Sequence, residues 1–146
     1  MPTTFNINEN KEIAKQFLQF VSEGKVEEMC KMITPAWKMY GGLPLMPEGP
    51  EGMRKLFASF GTIEQEWEIE DIIAECDKVA VRATNTCKQD SFFGINATGV
   101  TQKFTAMFIH KIIDGKIDET WRNANDLGRL LQLGAKIVAG APPDNN

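Results

Sequence analysis

The segment from Phe104 to Gly134 reads FTAMFIHKIIDGKIDETWRNANDLGRLLQLG and decides the fold. Its first part alternates apolar and polar residues as a β-strand does, and Asp114-Gly115 is typical of a tight hairpin turn. A second strand carrying Trp121 follows, and the apolar residues after Asn125-Asp126 predict a short helix. The segment therefore predicts an antiparallel strand pair that ends in a helix.

Composition indicates one ordinary globular domain and a small-molecule partner. The chain has 146 residues, of which 42% are hydrophobic and 25% charged, enough for a single core. We expect one domain over residues 1–146, with a frayed tail at residues 140–146. The net charge of −4 and the absence of clustered Lys and Arg argue against a nucleic-acid or anionic-membrane surface.

The three cysteines, Cys30, Cys76 and Cys87, are widely spaced and form no CxxC pair. Neither a disulfide framework nor a zinc site is indicated, so we expect reduced thiols and no metal. No apolar run approaches the roughly 18 to 20 residues of a membrane span, and the polar N-terminus lacks a signal-peptide pattern. These observations favour the cytoplasm and no membrane association.

Helical periodicity is found in the first part of the chain. Asn8 or Asn10 is suited to cap a first helix that Gly24 ends, and Pro35 is expected to end a second one. A third helix follows the Gly- and Pro-rich segment Tyr40 to Pro50, whose Gly41–Gly49 part should form a mobile lip over a pocket. The predicted helices cover residues 9–23, 25–33 and 50–60.

From Thr62 onward the apolar period changes to two. Trp67, Ile69 and Ile73 alternate with glutamates, and further strands are predicted over residues 79–86 and 104–113. This order defines an α+β fold in which three N-terminal helices pack on a curved, mostly antiparallel sheet. A strongly bent sheet over helices leaves an apolar pocket between the two layers.

Several short motifs occur along the chain in a characteristic order. They are Pro35, Gly49-Pro50-Glu51-Gly52, Arg82, Asp114-Gly115-Lys116-Ile117, Trp121, Leu127-Gly128 and Gln132-Leu133-Gly134. With this set the chain resembles the SnoaL-like polyketide cyclases. That resemblance implies the cone-shaped α+β barrel shared with nuclear transport factor two, and cofactor-independent acid–base catalysis on a polyketide-like or related cyclic carbonyl compound.

The polar residues depart from the family pattern where chemistry is expected. The family aspartate four residues after the tryptophan is replaced by Asn125, with Asp126 one position later. The family Gly-Thr-His segment beyond the central arginine falls on Cys87-Lys88-Gln89, and its later Arg or His falls on Lys111, beside His110. An amide exchanges no proton near neutral pH, so Asn125 can only orient or donate a hydrogen bond.

Ring closure of a carbonyl compound needs a base for an acidic C–H and a donor for the enolate. The candidate catalytic residues are therefore Asp126, Asn125, His110 and Lys111. Each has a structural alternative: Asp126 as the N-cap of the last helix, His110 as a core histidine and Lys111 as a surface cation. Alternation along the strand places Arg122 and Asp126 on one face and Trp121 on the other.

The proposed substrate-binding residues, which would enclose a small apolar or aromatic ligand, are Trp37, Tyr40, Arg82, Gln89, Phe92, Met107 and Trp121. The aromatic residues among them are equally suited to a plain core, and Arg82 to a structural ion pair. Two functions remain open: a cyclase or isomerase, and a binding protein that has lost the family acid. The resemblance also implies a homodimer or higher homo-oligomer formed through the outer face of the sheet.

Overall fold

The structure is a computed structural model that describes residues 4–42 and 44–141. Its helices are α1 (Ile7–Glu23), α2 (Val26–Cys30), α3 (Gly49–Ser59) and α4 (Asp126–Gln132). Its strands are β1 (Ile33–Tyr40), β2 (Ile63–Glu75), β3 (Lys78–Gln89), β4 (Ser91–Phe92), β5 (Ile95–Asn96), β6 (Thr101–Ile113) and β7 (Lys116–Ala124). Most of the predicted tail, residues 142–146, lies outside the described residues.

Five of the strands form one sheet in the order β1-β7-β6-β3-β2. The β1–β7 pair is parallel and the other pairs are antiparallel. The sheet curves over the helices without closing, so β1 and β2 are its two edges. The predicted α+β class, with helices on a curved and mostly antiparallel sheet, is confirmed.

Helices α1 and α3 cover one face of the sheet, which we call the inner face. Alternation along β3 places Val79, Val81 and Ala83 on this face, where each is at most 2% exposed. Their cross-strand partners on β6 include Phe108 and His110, which therefore share the inner face. The hydrophobic core lies between this face and the two helices.

The first helix begins earlier than its sequence indicated. The side chain of Asn6 accepts a hydrogen bond from the Glu9 backbone N–H at 3.0 Å, which makes Asn6 the N-cap. Asn8 and Asn10, the expected caps, lie inside the helix. Gly24 ends α1 with a φ of 69°, as predicted, because a left-handed residue there carries no Cβ penalty.

The second helix is shorter than predicted, and the strand β1 that follows it was not anticipated. Helix α2 ends at Cys30, and Ile33 already pairs with Ile117 of β7. Pro35 lies inside β1 instead of ending a helix, in the stretch between Ile33 and Lys38 where the pairing register shifts. An edge strand accommodates a proline because one of its sides needs no ladder donor.

A β-bulge in β2 changes which residues point inward. The register with β3 shifts between Ile69 and Asp71, so the alternation reverses beyond this point. Ile73, expected on the dry face, is 68% exposed, whereas Ile72 packs against the core. A uniform two-residue period does not predict this reversal.

Candidate functional site

The junction of β7 and α4 places two opposite charges together at one end of the inner face. Arg122 lies opposite Phe108 of β6 and therefore faces inward. Helix α4 starts directly after β7, so Asp126 in its first turn reaches back to Arg122. The Arg122 Nη1 and Nη2 atoms donate to separate oxygens of Asp126 at 2.9 and 2.8 Å. Their side chains are 21% and 34% exposed, so both groups are in contact with solvent.

Asn125 occupies the position of the family acid and has a structural role. Its Oδ1 accepts a hydrogen bond from the Gly128 backbone N–H at 2.9 Å, which makes Asn125 the N-cap of α4. A Cβ at Gly128 would overlap the Asn125 side chain, so this cap requires glycine. The expectation that Asp126 could be the cap is corrected, because Asp126 binds Arg122 instead.

The segment that connects β1 to α3 is hydrogen-bonded to β7 at Gly41. The Gly41 carbonyl accepts from Arg122 Nη1 at 3.3 Å, and a Cβ at Gly41 would overlap the Arg122 carbonyl. Gly41 also has a φ of 82°, which glycine adopts without strain. Glycine is therefore needed where this segment meets Arg122.

This segment and β1 line a cleft of about 350 Å³. Its lining is largely apolar and consists of Trp37, Lys38, Met39, Tyr40, Gly41, Gly42, Pro44, Leu45, Met46 and Pro47. Such a volume falls in the range of small-ligand sites, about 300 to 1,000 Å³. The segment thus borders a pocket, as a lip would, and its mobility stays a prediction.

His110 is embedded in the core. It is 3% exposed, and its Nδ1 lies 2.9 Å from the Thr120 hydroxyl, which also accepts from Trp37 Nε1 at 3.0 Å. The Phe17 ring meets the imidazole edge-on at a centroid distance of 5.5 Å. Burial lowers the pKa of His110 to about 4, so the ring is neutral at pH 7. These contacts fit the core-histidine alternative.

Two of the other expected site residues on β6 point away from His110. Met107 is 59% exposed, and Lys111 lies 3.9 Å from Glu119 of β7 on the outer face. Alternation explains the difference, because Lys111 neighbours His110 and so faces the opposite side. Lys111 therefore fits the surface-cation alternative, and Met107, expected to bind substrate, does not face the inner side of the sheet.

Arg82 and Trp121 also lie on the outer face. Arg82 donates to Asp71 at 2.7 Å, which agrees with the structural ion pair considered for it. Trp121 stacks on Tyr40 with ring centroids 5.4 Å apart. Neither Arg82 nor Trp121 is directed toward the inner face, whereas Tyr40 also borders the cleft.

Arg129 is the main polar feature that the sequence reasoning missed. Although only 6% exposed, it donates through Nε to Gln102 Oε1 at 2.6 Å and through Nη2 to Gln89 Oε1. Its guanidinium lies 3.7 Å from the centroid of the Phe92 ring. Burial lowers the pKa of this guanidinium. The available signal was a single basic residue among the leucines of the last helix.

Gln89 and Phe92, predicted to bind substrate, thus meet at Arg129, while Trp37 and Tyr40 border the cleft. Within the described ranges, no group of His, Cys, Asp and Glu residues is arranged to hold a metal ion. In the same ranges, no helix is both long and apolar enough to cross a membrane.

A curved open sheet over helices, with polar groups at one end of its inner face, defines a protein of the nuclear-transport-factor-two-like class. The sequence model of the family described as SnoaL-like polyketide cyclase matches residues 11–133. The chain therefore belongs to the SnoaL-like polyketide cyclase family. Comparison with curated protein sequences gave no significant match.

Solved structures show the same fold. TsrD from Streptomyces laurentii is 24% identical with a TM-score of 0.80, over 91% of this chain and 100% of that one. A SnoaL-like polyketide cyclase from Agrobacterium tumefaciens is 20% identical with a TM-score of 0.72, over 86% and 98%. An epoxide hydrolase of M. tuberculosis described as LEH-like is 15% identical with a TM-score of 0.69, over 87% and 90%.

Proposed function

We propose that this chain is a cofactor-independent enzyme of the cyclase and isomerase type, with Asp126 as its base and a small apolar carbonyl compound as its substrate. The proposal is based on where the structure places the four candidate catalytic side chains. His110 is buried, Asn125 caps a helix and Lys111 lies on the outer face. Asp126 combines a carboxylate with partial exposure beside Arg122 on the inner face.

The chemistry begins with removal of a proton from a carbon between or beside carbonyl groups. Asp126 takes this proton, and the electron pair left on carbon delocalises onto the carbonyl oxygen as an enolate. Protonation of Asp126 weakens its ion pair, so the Arg122 guanidinium becomes available to stabilise the enolate oxygen.

In a ring closure, the enolate carbon then forms a bond to a second carbonyl carbon of the same molecule. The alkoxide produced at that carbon recovers the proton from Asp126, so no proton or electron is gained or lost overall. In an isomerisation, the proton returns to another carbon of the enolate. Gly41, whose carbonyl accepts from Arg122, also lines the largely apolar cleft, so apolar surface that limits access of water lies next to the pair.

A second function is favoured by a specific observation. Asn125 stands where the family acid is found and is used as a helix cap, while both Asp126 oxygens are engaged by Arg122. This arrangement also suits a protein that binds the same class of ligand without turnover. The experiment must therefore separate binding from proton transfer.

The experiment measures solvent deuterium incorporation by NMR into aromatic ketones and 1,3-diketones, led by 2-tetralone and benzoylacetone. We expect the wild-type chain to accelerate exchange, and Asp126→Asn to lower that acceleration by roughly a hundredfold or more. Asp71→Asn is the matched control, because Asp71 forms a similar ion pair with Arg82 on the outer face.

Saturation-transfer NMR on the same samples reports ligand binding. Binding without accelerated exchange in the wild-type chain would support the binding-protein alternative. Full exchange activity in Asp126→Asn would exclude Asp126 as the base.

We also propose that the protein is cytoplasmic and that it forms a homo-oligomer. The described cysteines are free thiols, in keeping with a reducing compartment. Met107, Ile109 and Ile113 are each at least 40% exposed on the outer face of β6, which offers an apolar surface to a second copy.

A further inference from the structure

Arg129 is a buried cation that has no acidic partner among residues 4–42 and 44–141. Its charge is met by the carbonyl oxygens of Gln89 and Gln102 and by the aromatic faces of Phe92 and Phe104, at 3.7 and 5.0 Å from the guanidinium carbon. A buried charge is costly unless an opposite charge compensates it. The Arg129 Nη1 atom has no hydrogen-bond partner in the described ranges, so it is available to an anion.

The two glutamines fix the direction of the neighbouring amide groups. Arginine only donates, so each glutamine must turn its Oε1 toward Arg129 and its Nε2 away. Gln89 Nε2 donates to the Phe60 carbonyl at 2.6 Å. Gln102 is 0% exposed, and within the described residues its Nε2 donor has no partner.

Two more polar atoms without a described partner lie in the adjacent row of the inner face. Trp67, Asn85 and Phe104 are cross-strand neighbours on β2, β3 and β6. Trp67 Nε1, a donor, and Asn85 Oδ1, an acceptor, are buried and make no hydrogen bond within the described residues. Asn85 is two residues from Cys87, the register partner of Gln102, so these atoms occupy neighbouring positions on one face.

We propose that this cluster, formed by Arg129, Gln102, Trp67 and Asn85, binds the carboxylate of an aromatic ligand. The guanidinium supplies the positive charge, and Gln102 Nε2 and Trp67 Nε1 supply neutral donors for the carboxylate oxygens. Phe92 and Phe104 provide aromatic surface beside it. Asn85 Oδ1, an acceptor, adds a preference for a hydroxyl group next to the carboxylate.

The inference rests on the proposed function for the inner face as the ligand site, and it narrows the substrate class to aromatic carbonyl compounds that also carry a carboxylate. Asp126 also lies on α4, three residues before Arg129. The ligand's acidic group and its reacting carbon are thus assigned to two different residues of one helix. The two assignments can be tested separately.

The first test titrates the ¹⁵N-labelled chain with 2-naphthoate, its neutral methyl ester and 3-hydroxy-2-naphthoate, followed by NMR. We expect 2-naphthoate to shift the Trp67 indole N–H and the Gln102 side-chain amide, and the hydroxy acid to bind more tightly. Trp121 on the outer face is the internal control and should not respond. The methyl ester should bind at least about tenfold more weakly than 2-naphthoate, because it lacks the negative charge.

The second test uses Arg129→Met, which removes the charge, and Trp67→Phe, which removes one donor while keeping an aromatic ring. Arg82→Met on the outer face is the control. We expect Arg129→Met to weaken 2-naphthoate binding about tenfold or more and Trp67→Phe to weaken it severalfold, with ester binding unchanged in both. Trp67→Phe keeps the test decisive if Arg129→Met fails to fold.

Equal affinity for the acid and the ester, or no shift of the Trp67 indole at millimolar 2-naphthoate, would overturn the inference. Ordered water on Gln102 Nε2 and Trp67 Nε1 in a crystal grown with saturating 2-naphthoate would do the same. Deuterium exchange of neutral 2-tetralone does not depend on this cluster. A failure of Asp126 as base is therefore distinguishable from a failure of Arg129 as carboxylate site.

Discussion

Arg122 and Asp126 are joined by two parallel hydrogen bonds of 2.9 and 2.8 Å, one to each carboxylate oxygen. The pair links the last strand of the sheet to the first turn of α4 and lies beside Gly41. A bidentate ion pair fixes the orientation of both groups as well as their separation. It therefore holds a carboxylate and a cation side by side at the end of the inner face, as the proposed enolate chemistry needs.

The strength of this pair can be measured by a double-mutant cycle with Arg122→Met and Asp126→Asn. We expect a coupling free energy of about 1 kcal/mol, because the geometry is two-pronged and the groups are partly shielded from water. The Arg82–Asp71 pair is the reference, with side chains 47% and 59% exposed. Its coupling should be below about 0.5 kcal/mol. Urea unfolding supplies both values, and a stronger outer pair would contradict this reasoning.

Asn125 should affect stability through its cap and not through its chemistry. Asn125→Ala removes the acceptor for the Gly128 N–H and should lower the free energy of unfolding by about 1 kcal/mol. Asn125→Asp should be nearly neutral, since aspartate caps about as well as asparagine. Asn123→Ala, on the same strand end, is the control for a polar side chain outside the cap. A loss in Asn125→Asp as large as in Asn125→Ala would argue against the cap.

His110 should make the stability of the fold depend on pH. Its pKa is about 4 in the folded chain and about 6.5 when unfolded, so between these values the unfolded chain binds the extra proton. Stability is therefore full above pH 6.5 and falls as the pH drops toward 4, by up to about 3 kcal/mol.

The measurement is urea unfolding at pH 7.5 and 4.5 for the wild type and His110→Asn. Asparagine can keep a hydrogen bond to Thr120 but does not titrate. The wild type should therefore have the larger free energy of unfolding at pH 7.5, and this difference should shrink at pH 4.5. The same pH dependence in both chains would show that carboxylates account for it and that His110 contributes nothing.

The exposed apolar residues of β6 predict association through the outer face. Met107→Glu places a charge beside Ile109 and Ile113 and should shift the chain toward monomer in light scattering coupled to size exclusion. Lys103→Glu, also on the exposed side of β6, is the control for a change of charge alone. An unchanged mass in Met107→Glu, or a monomeric wild type, would contradict the prediction.

Local signals were sufficient to predict much of the fold from the sequence. Gly24, the Asp114-Gly115 turn and the change of period at Thr62 each act over a few residues, and all agree with the structure. Strand β1 was missed because its partner, β7, lies more than 80 residues away and its Pro35 favours other structures in isolation. The exposure of Ile73 follows from a bulge that no short pattern encodes.

The candidate site was less accessible to sequence reasoning for a related reason. Alternation along β7 separated Arg122 from Trp121 but did not show which of the two faces inward, and the roles of Asn125 and Asp126 depend on how α4 turns back over the strand. Arg129 is held in the core by hydrogen bonds to Gln89 and Gln102, which lie 40 and 27 residues away in sequence. The periodicity of the sequence does not predict such long-range polar contacts.

Chemical rescue of Asp126→Ala is the sharpest test of Asp126 as the base. We predict that this variant loses accelerated deuterium exchange into 2-tetralone and that added acetate restores it in proportion to acetate concentration, while Asp71→Ala needs no rescue. Acetate can replace the missing carboxylate beside Arg122 because the pair is partly exposed. Undiminished exchange in Asp126→Ala, or a loss that no concentration of acetate reverses in a folded variant, would show that Asp126 is not the base.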